Sequence, residues 1–193
     1  MILQGFDPEK FCLHPGHFDN QSNLHGINHT YRVMCHVLYL GQALLFEREI
    51  KLAFSAAFIH DMSRKHDGFC QHHGLWASRQ KLPLFKDFFL SQGINSFQLE
   101  EISASVRNHS EGFDLQKNDP FWKTAALLKD ADALDRIRLG VGNLRIEFLR
   151  FPATEQFVPF ANALFQSSDQ HQINSFSQMF ALTLQHQHLI KFS

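Results

Sequence analysis

The chain has 193 residues, a formal net charge of −1 and a composition 44% hydrophobic with 21 phenylalanines. That length implies a single domain with a substantial core, and the near-neutral balance excludes a global basic field of the kind that recruits nucleic-acid polymers or a membrane surface. Three widely spaced cysteines, Cys12, Cys35 and Cys70, lack a Cys-x-x-Cys pair, so free thiols in a reducing cytosol are expected rather than a disulfide framework.

The N-terminal stretch Met1–Lys10 lacks the basic start and long apolar centre of a signal peptide. No uninterrupted apolar run is long enough to span a bilayer. The expected location is therefore cytoplasmic. Periodicity is helical nearly throughout, which predicts an all-α fold. His29, Val33, Val37, Leu40 and Leu44 recur at steps of three and four and place His29 on the inward stripe of a long helix. Ile50, Ala53, Phe54, Ala57, Phe58 and Asp61 do the same for the next. His60 and Asp61 lie about 100° apart on an α-helix, so both reach one point only near its end, which Gly68 supplies.

Beyond that break, residues 72–79 predict a short helix limited by Pro83. A further helix is expected from Ser96, as its N-cap, to His109, with Leu99, Ile102, Val106 and His109 on one face. Asn118-Asp119-Pro120 is expected to start the following one, on which Ala125, Leu128, Asp132 and Arg136 align and turn Asp132 inward, where an unpaired carboxylate is costly. Residues 143–193 predict two helices, 155–166 and 173–189, that cover the core, with Phe176, Phe180, Thr183 and Leu184 as the packing face. His186 and His188 are expected in solvent.

Two imidazoles, His29 and His60, and two carboxylates, Asp61 and Asp132, form a nitrogen and oxygen donor set. Such a set suits Mn, Fe, Co, Ni or Zn better than Mg, and differs from the cysteine-rich set of structural zinc. Four protein donors leave positions open on an octahedral ion for water and substrate oxygens, which is a hydrolase's arrangement.

The ordered pattern resembles the HD-domain metal-dependent phosphohydrolases. The matching segments are His29-x-x-Arg32-Val33, the small and apolar residues before His60-Asp61, and Lys129-Asp130-Ala131-Asp132-x-Leu134-Asp135, over roughly residues 25–140. The resemblance implies an HD-domain helical bundle with the metal between core helices, and Asp132 rather than Asp130 as the last ligand. It implies one divalent ion, with a second possible. His73 and His109 occupy positions where relatives hold a second metal or contact substrate, and packing is the third reading. Guanosine tetraphosphate hydrolases of this superfamily carry a Glu-Asp pair where this chain has Arg64 and Lys65, which sets that mechanism aside.

The remaining expectations concern chemistry. Arg32, Arg64, Lys65 and Arg136 are expected to form a basic rim for a small phosphorylated substrate, against the reading of solvated or carboxylate-paired side chains. Arg107 and Lys129 are less well placed. Asp61, Asp67 or Asp130 takes the proton of an attacking water, and His25 either donates one to the leaving oxygen or sits in the turn before the helix. The expected protein is a nucleotide-directed phosphohydrolase, monomeric or homodimeric. The rival is a non-catalytic nucleotide-sensing or protein-binding HD module.

Overall fold

The computed structural model describes residues 7–140, 142–171 and 173–190, and among them all regular structure is helical. Met1–Phe6, the start of the segment read as leaderless, and Val141 of the break after Leu139 lie outside the described residues. No helix among those described is long and apolar enough to cross a membrane.

The central helix is α1 (Ile27–Ala43), packed between α2 (Glu47–Ile59), α6 (Trp122–Asp135), α7 (Val158–Asp169) and α8 (Phe176–His186). Because it has neighbours on most sides, its buried set extends beyond the predicted stripe to polar members, Arg32 and His36 among them. It ends in a Schellman turn: the amide of Leu45 donates to the carbonyl of Gln42 and that of Phe46 to the carbonyl of Gly41, with Leu45 at φ 57° in the left-handed region usually given to glycine. α2 starts with Glu47 and Glu49 in its first turn, favourable to the helix dipole. It ends at Ile59, so His60 and Asp61 occupy the turn that follows, as the spacing predicts.

Where the chain restarts, α3 (His73–Trp76) runs through a π turn at Ala77–Lys81 into α4 (Leu82–Ser91). Pro83 therefore does not limit a helix but stands in the first turn of α4, where a missing N–H costs little. α3 lies against α5 (Ser96–His109): a Cβ on Gly74 would fall 2.3 Å from the Val106 carbonyl. This close approach sets His73 beside His109. The cap of α5 is Asn95, not Ser96, in a reciprocal box with Gln98 (2.9 Å each way). Pro120 likewise precedes α6 in a turn closed by Trp122 and Asp119. The tail forms a 3₁₀ segment (Pro152–Phe157), then α7, which starts and ends three residues later than the predicted span, and α8, which starts later and ends earlier than its own. Within the expected packing face, Phe176 and Thr183 are buried, but Leu184 is 50% exposed. His186 is not simply solvated, because its Nε2 meets Ser167 Oγ at 2.7 Å.

The core is continuous and aromatic. Phe11 packs edge-on against Phe54, Phe58 and Phe88 at centroid distances of 5.1, 5.3 and 4.8 Å, the geometry in which ring quadrupoles attract.

Candidate metal centre

His29 on the first turn of α1, His60 and Asp61 after α2, and Asp132 near the end of α6 meet at one point. His29 Nε2 lies 3.1 Å from His60 Nε2 and 3.4 Å from both Asp61 Oδ2 and Asp132 Oδ1. His60 Nε2 lies 3.7 and 4.0 Å from the same two oxygens. Adjacent donors about 2.1 Å from an octahedral ion stand about 3.0 Å apart, and opposite ones about 4.2 Å. The observed spacings fall around that interval.

A second cluster shares Asp61. Its Oδ1 lies 3.0 Å from His73 Nε2 and 3.5 Å from His109 Nε2, and those two nitrogens are 2.8 Å apart. Asp61 thus turns one oxygen to each pair of imidazoles.

The orientation of the four rings has one cause. Each Nδ1 is committed to an oxygen acceptor: His29 to Asp135 Oδ2 (2.7 Å), His60 to the Ala57 carbonyl (2.6 Å), His73 to the Cys70 carbonyl (2.7 Å) and His109 to the Val106 carbonyl (2.5 Å). A neutral imidazole that donates from Nδ1 presents Nε2 as a bare lone pair. Burial lowers the pKa of His60 to about 3 and also lowers that of His73, which favours their neutral forms. Burial opposes ionisation of Asp61, but the surrounding imidazoles, His60 foremost, outweigh it and hold the carboxyl well below the usual carboxylate range. Asp132 is lowered in the same way by His29 and His60. Lone pairs facing lone pairs and carboxylates lack a proton to share, and a cation satisfies them all. The donor set therefore fits a divalent metal at His29, His60, Asp61 and Asp132, and a second at Asp61, His73 and His109.

A sequence profile of the HD domain matches residues 26–137, more than half of the chain. The chain belongs to the HD domain family. Comparison with curated proteins and with solved structures finds no match. HD domains are in general metal-dependent hydrolases, and His29, His60, Asp61 and Asp132 follow the family's ligand order.

Around this HD-domain centre the predicted residues separate. Arg32 is 2% exposed and lies behind the site: Nε and Nη2 bind Asp135 at 2.5 and 3.0 Å, and Nη1 binds Ser168 at 3.1 Å. Its place in the phosphate rim is corrected, because every face of the guanidinium is engaged within the protein. Lys65 also leaves the rim, held by Asp19 at 2.6 Å. Arg64 stays at the centre, donating to Asp61 Oδ1 at 3.1 Å. Arg136 lines the cleft with Asp132, and its Nε donates to the Asn143 carbonyl at 2.9 Å.

His25 sits in the turn before α1 and is buried rather than in solvent. It contacts Asp67 at 3.2 Å, and burial lowers it to about 4 although Asp61 pulls the other way. A ring held neutral lacks the charge of a ready proton donor. Asp67 faces Asn20 and His25 at the surface. Asp130 is fully buried and accepts from the amides of Arg150 and Phe151 and from Thr154. It anchors the chain after α6 and has no access to a water at the metal donors.

Two contributions escaped the sequence reading. Asp135 orients His29 and is itself clamped by Arg32, the outer-shell carboxylate that fixes tautomer and ring direction. The signal was its place one turn after Asp132. Lys117 lines the cleft with no carboxylate partner among the described residues, its ammonium 6.0 Å from the Trp122 ring centre. The cleft itself measures about 810 Å³, ample for a small ligand. Asp132 lies at its floor, and exposed Phe69 and Phe148 line its walls.

Proposed function

We propose that this HD domain is a phosphohydrolase that cleaves a phosphoester or phosphoanhydride bond of a small phosphorylated substrate, a nucleotide in our reading. The observation that carries the proposal is the convergence of four imidazole Nε2 atoms on the two oxygens of Asp61, at the end of a cleft that also carries Arg136 and Lys117. When bound, a divalent transition metal (Mn, Fe, Co, Ni or Zn) supplies a Lewis acid for a phosphoryl oxygen and lowers the pKa of a water.

The protein's own groups supply the rest. Arg136 and Lys117, without carboxylate partners among the described residues, meet the phosphate charge. Arg64 steadies Asp61, and Asp61 is the carboxylate placed to accept the proton of an attacking water, since Asp67 and Asp130 are engaged elsewhere. Phe69 and Phe148 offer exposed ring faces along the cleft, which suits a planar base. Retention of every metal donor favours an enzyme over the alternative, an HD module that senses a nucleotide or binds a protein.

Metal analysis of the purified protein followed by a panel of nucleotides and simple phosphoesters with Mn²⁺ tests the proposal. Wild type should carry metal and turn over at least one phosphate compound, His60→Ala and Asp132→Ala should lose both properties, and Asp61→Asn should lose turnover even where metal remains. A metal-loaded wild type that binds a nucleotide at micromolar concentration without hydrolysing it, with binding intact in Asp61→Asn, makes it a sensor.

A further inference from the structure

The two oxygens of Asp61 face surroundings that match in their imidazoles and differ in their charge. Oδ2 lies 3.4 and 3.7 Å from Nε2 of His29 and His60, and the further member of that group is the carboxylate of Asp132. Oδ1 lies 3.0 and 3.5 Å from Nε2 of His73 and His109, and there the further member is the guanidinium of Arg64, whose Nε donates to it at 3.1 Å. One face of Asp61 is thus completed by a negative charge and the other by a positive one. Among the described residues no arginine or lysine hydrogen-bonds Oδ2, and none pairs with Asp132.

The chain itself holds Arg64 in this position. It stands three residues after Asp61 in the turn that follows α2, its amide donates to the Asp61 carbonyl at 3.1 Å, and its Nη1 donates to the Gly68 carbonyl at 3.2 Å. Its side chain is 14% exposed, so water and salt screen the charge little. A guanidinium keeps its proton in a protein, so this charge leaves only if the side chain swings away and gives up its hydrogen bonds. Any cation that ligates Asp61 Oδ1 shares that oxygen with a permanent positive charge. An ion on the Oδ2 side instead meets two carboxylates, and once bound it offsets the negative charge that would draw another ion to Oδ1.

We infer that Arg64 sets the order of metal loading: it takes the place of a cation at the His73 and His109 face of Asp61, so that the face formed with His29, His60 and Asp132 fills first and a second ion binds far more weakly. The inference rests on the metal reading of this centre and is independent of hydrolysis.

The test titrates metal-free, full-length protein with Mn²⁺ by calorimetry, with the free ion followed by electron paramagnetic resonance. Wild type should show one tight step and a second about a hundredfold weaker or more. Arg64→Gln keeps a hydrogen-bond donor but removes the charge, and should tighten the second step about tenfold or more while moving the first by less. Arg64→Lys keeps the charge and should leave the second step weak. A role confined to holding the turn has the opposite sign, since both variants would then loosen the centre and weaken metal binding. His109→Ala in the Arg64→Gln background should remove the second step alone, which assigns it to the Oδ1 face. Two wild-type steps of equal affinity, a second step that fails to tighten in Arg64→Gln, or one that tightens as much in Arg64→Lys overturns the inference. A wild type that takes up no Mn²⁺ at all fails the metal reading, and the order of loading falls with it.

Discussion

Asp135 and His36 illustrate two opposite uses of a buried polar residue on or against α1. Asp135 is fully satisfied and held deprotonated, burial notwithstanding, first by Arg32 and then by His29. Asp135→Asn keeps the shape but exchanges a full charge for an amide, so His29 loses its anchor. Metal affinity should fall about 10- to 100-fold, the usual cost of losing such an outer partner, as read by competition with a chromophoric chelator. His36 is the converse: it is fully buried with neither ring nitrogen bonded, and burial lowers it to about 4. The unfolded chain takes up that proton near pH 6.5 whereas the folded chain does not until about 4. Stability from this site is therefore complete above pH 6.5, is lost as pH falls through the window to 4, and amounts to roughly 3 kcal/mol. Urea unfolding of metal-free His36→Leu should show a shallower decline over that window than wild type.

At the scale of elements, the end of α1 carries a strained residue. Leu45 adopts the left-handed conformation with its side chain 85% exposed, so it incurs the steric cost without a packing return. Leu45→Gly should raise stability by about 1 kcal/mol, seen as a higher urea midpoint with an unchanged slope. Leu45→Ala should not.

The elements also show what the sequence could and could not disclose. Helices α1, α2, α5 and α6 were legible because one repeating apolar face marks each, and the four donors were legible because each lies at a fixed offset from such a face. Pairings between distant elements were not. Arg32 stands one turn from His29 and so reads as a phosphate group, but its environment is set by Asp135, 103 residues away, and by Ser168 on α7. Pro83 reads as a stop because a π turn, which leaves no periodic trace, precedes it. Asn95 lost the capping position to Ser96 in the reading because both residue types cap, and only the box with Gln98 separates them.

For the whole molecule, the cleft is built from segments that the fold brings in from different places. Asp114, Lys129 and Arg150 form a clasp, with Asp114 2.9 Å from each cation. This consumes two positive charges in architecture, and Arg145 is likewise paired with Glu147. Arg136 and Lys117 are left for ligand charge. Arg136→Ala and Lys117→Ala should leave metal content intact and lower kcat/KM about 10- to 100-fold, the scale of one charge-assisted hydrogen bond. Loss of metal in either variant would place the residue elsewhere in the machinery.

The facing nitrogens, His29 against His60 and His73 against His109, also bear on how long the protein survives. Without a cation they repel across joints that tie together segments as far apart as residues 29 and 132. An ion present at a thousandfold its dissociation constant would add about 4 kcal/mol to folding, on the order of 10 °C in melting temperature for a chain of this size. Digestion of the native protein by a nonspecific protease should accordingly quicken in chelator and slow again with Mn²⁺. In a cell short of metal, the consequence is turnover: the idle protein is cleared instead of accumulating, and its abundance follows the supply of the ion.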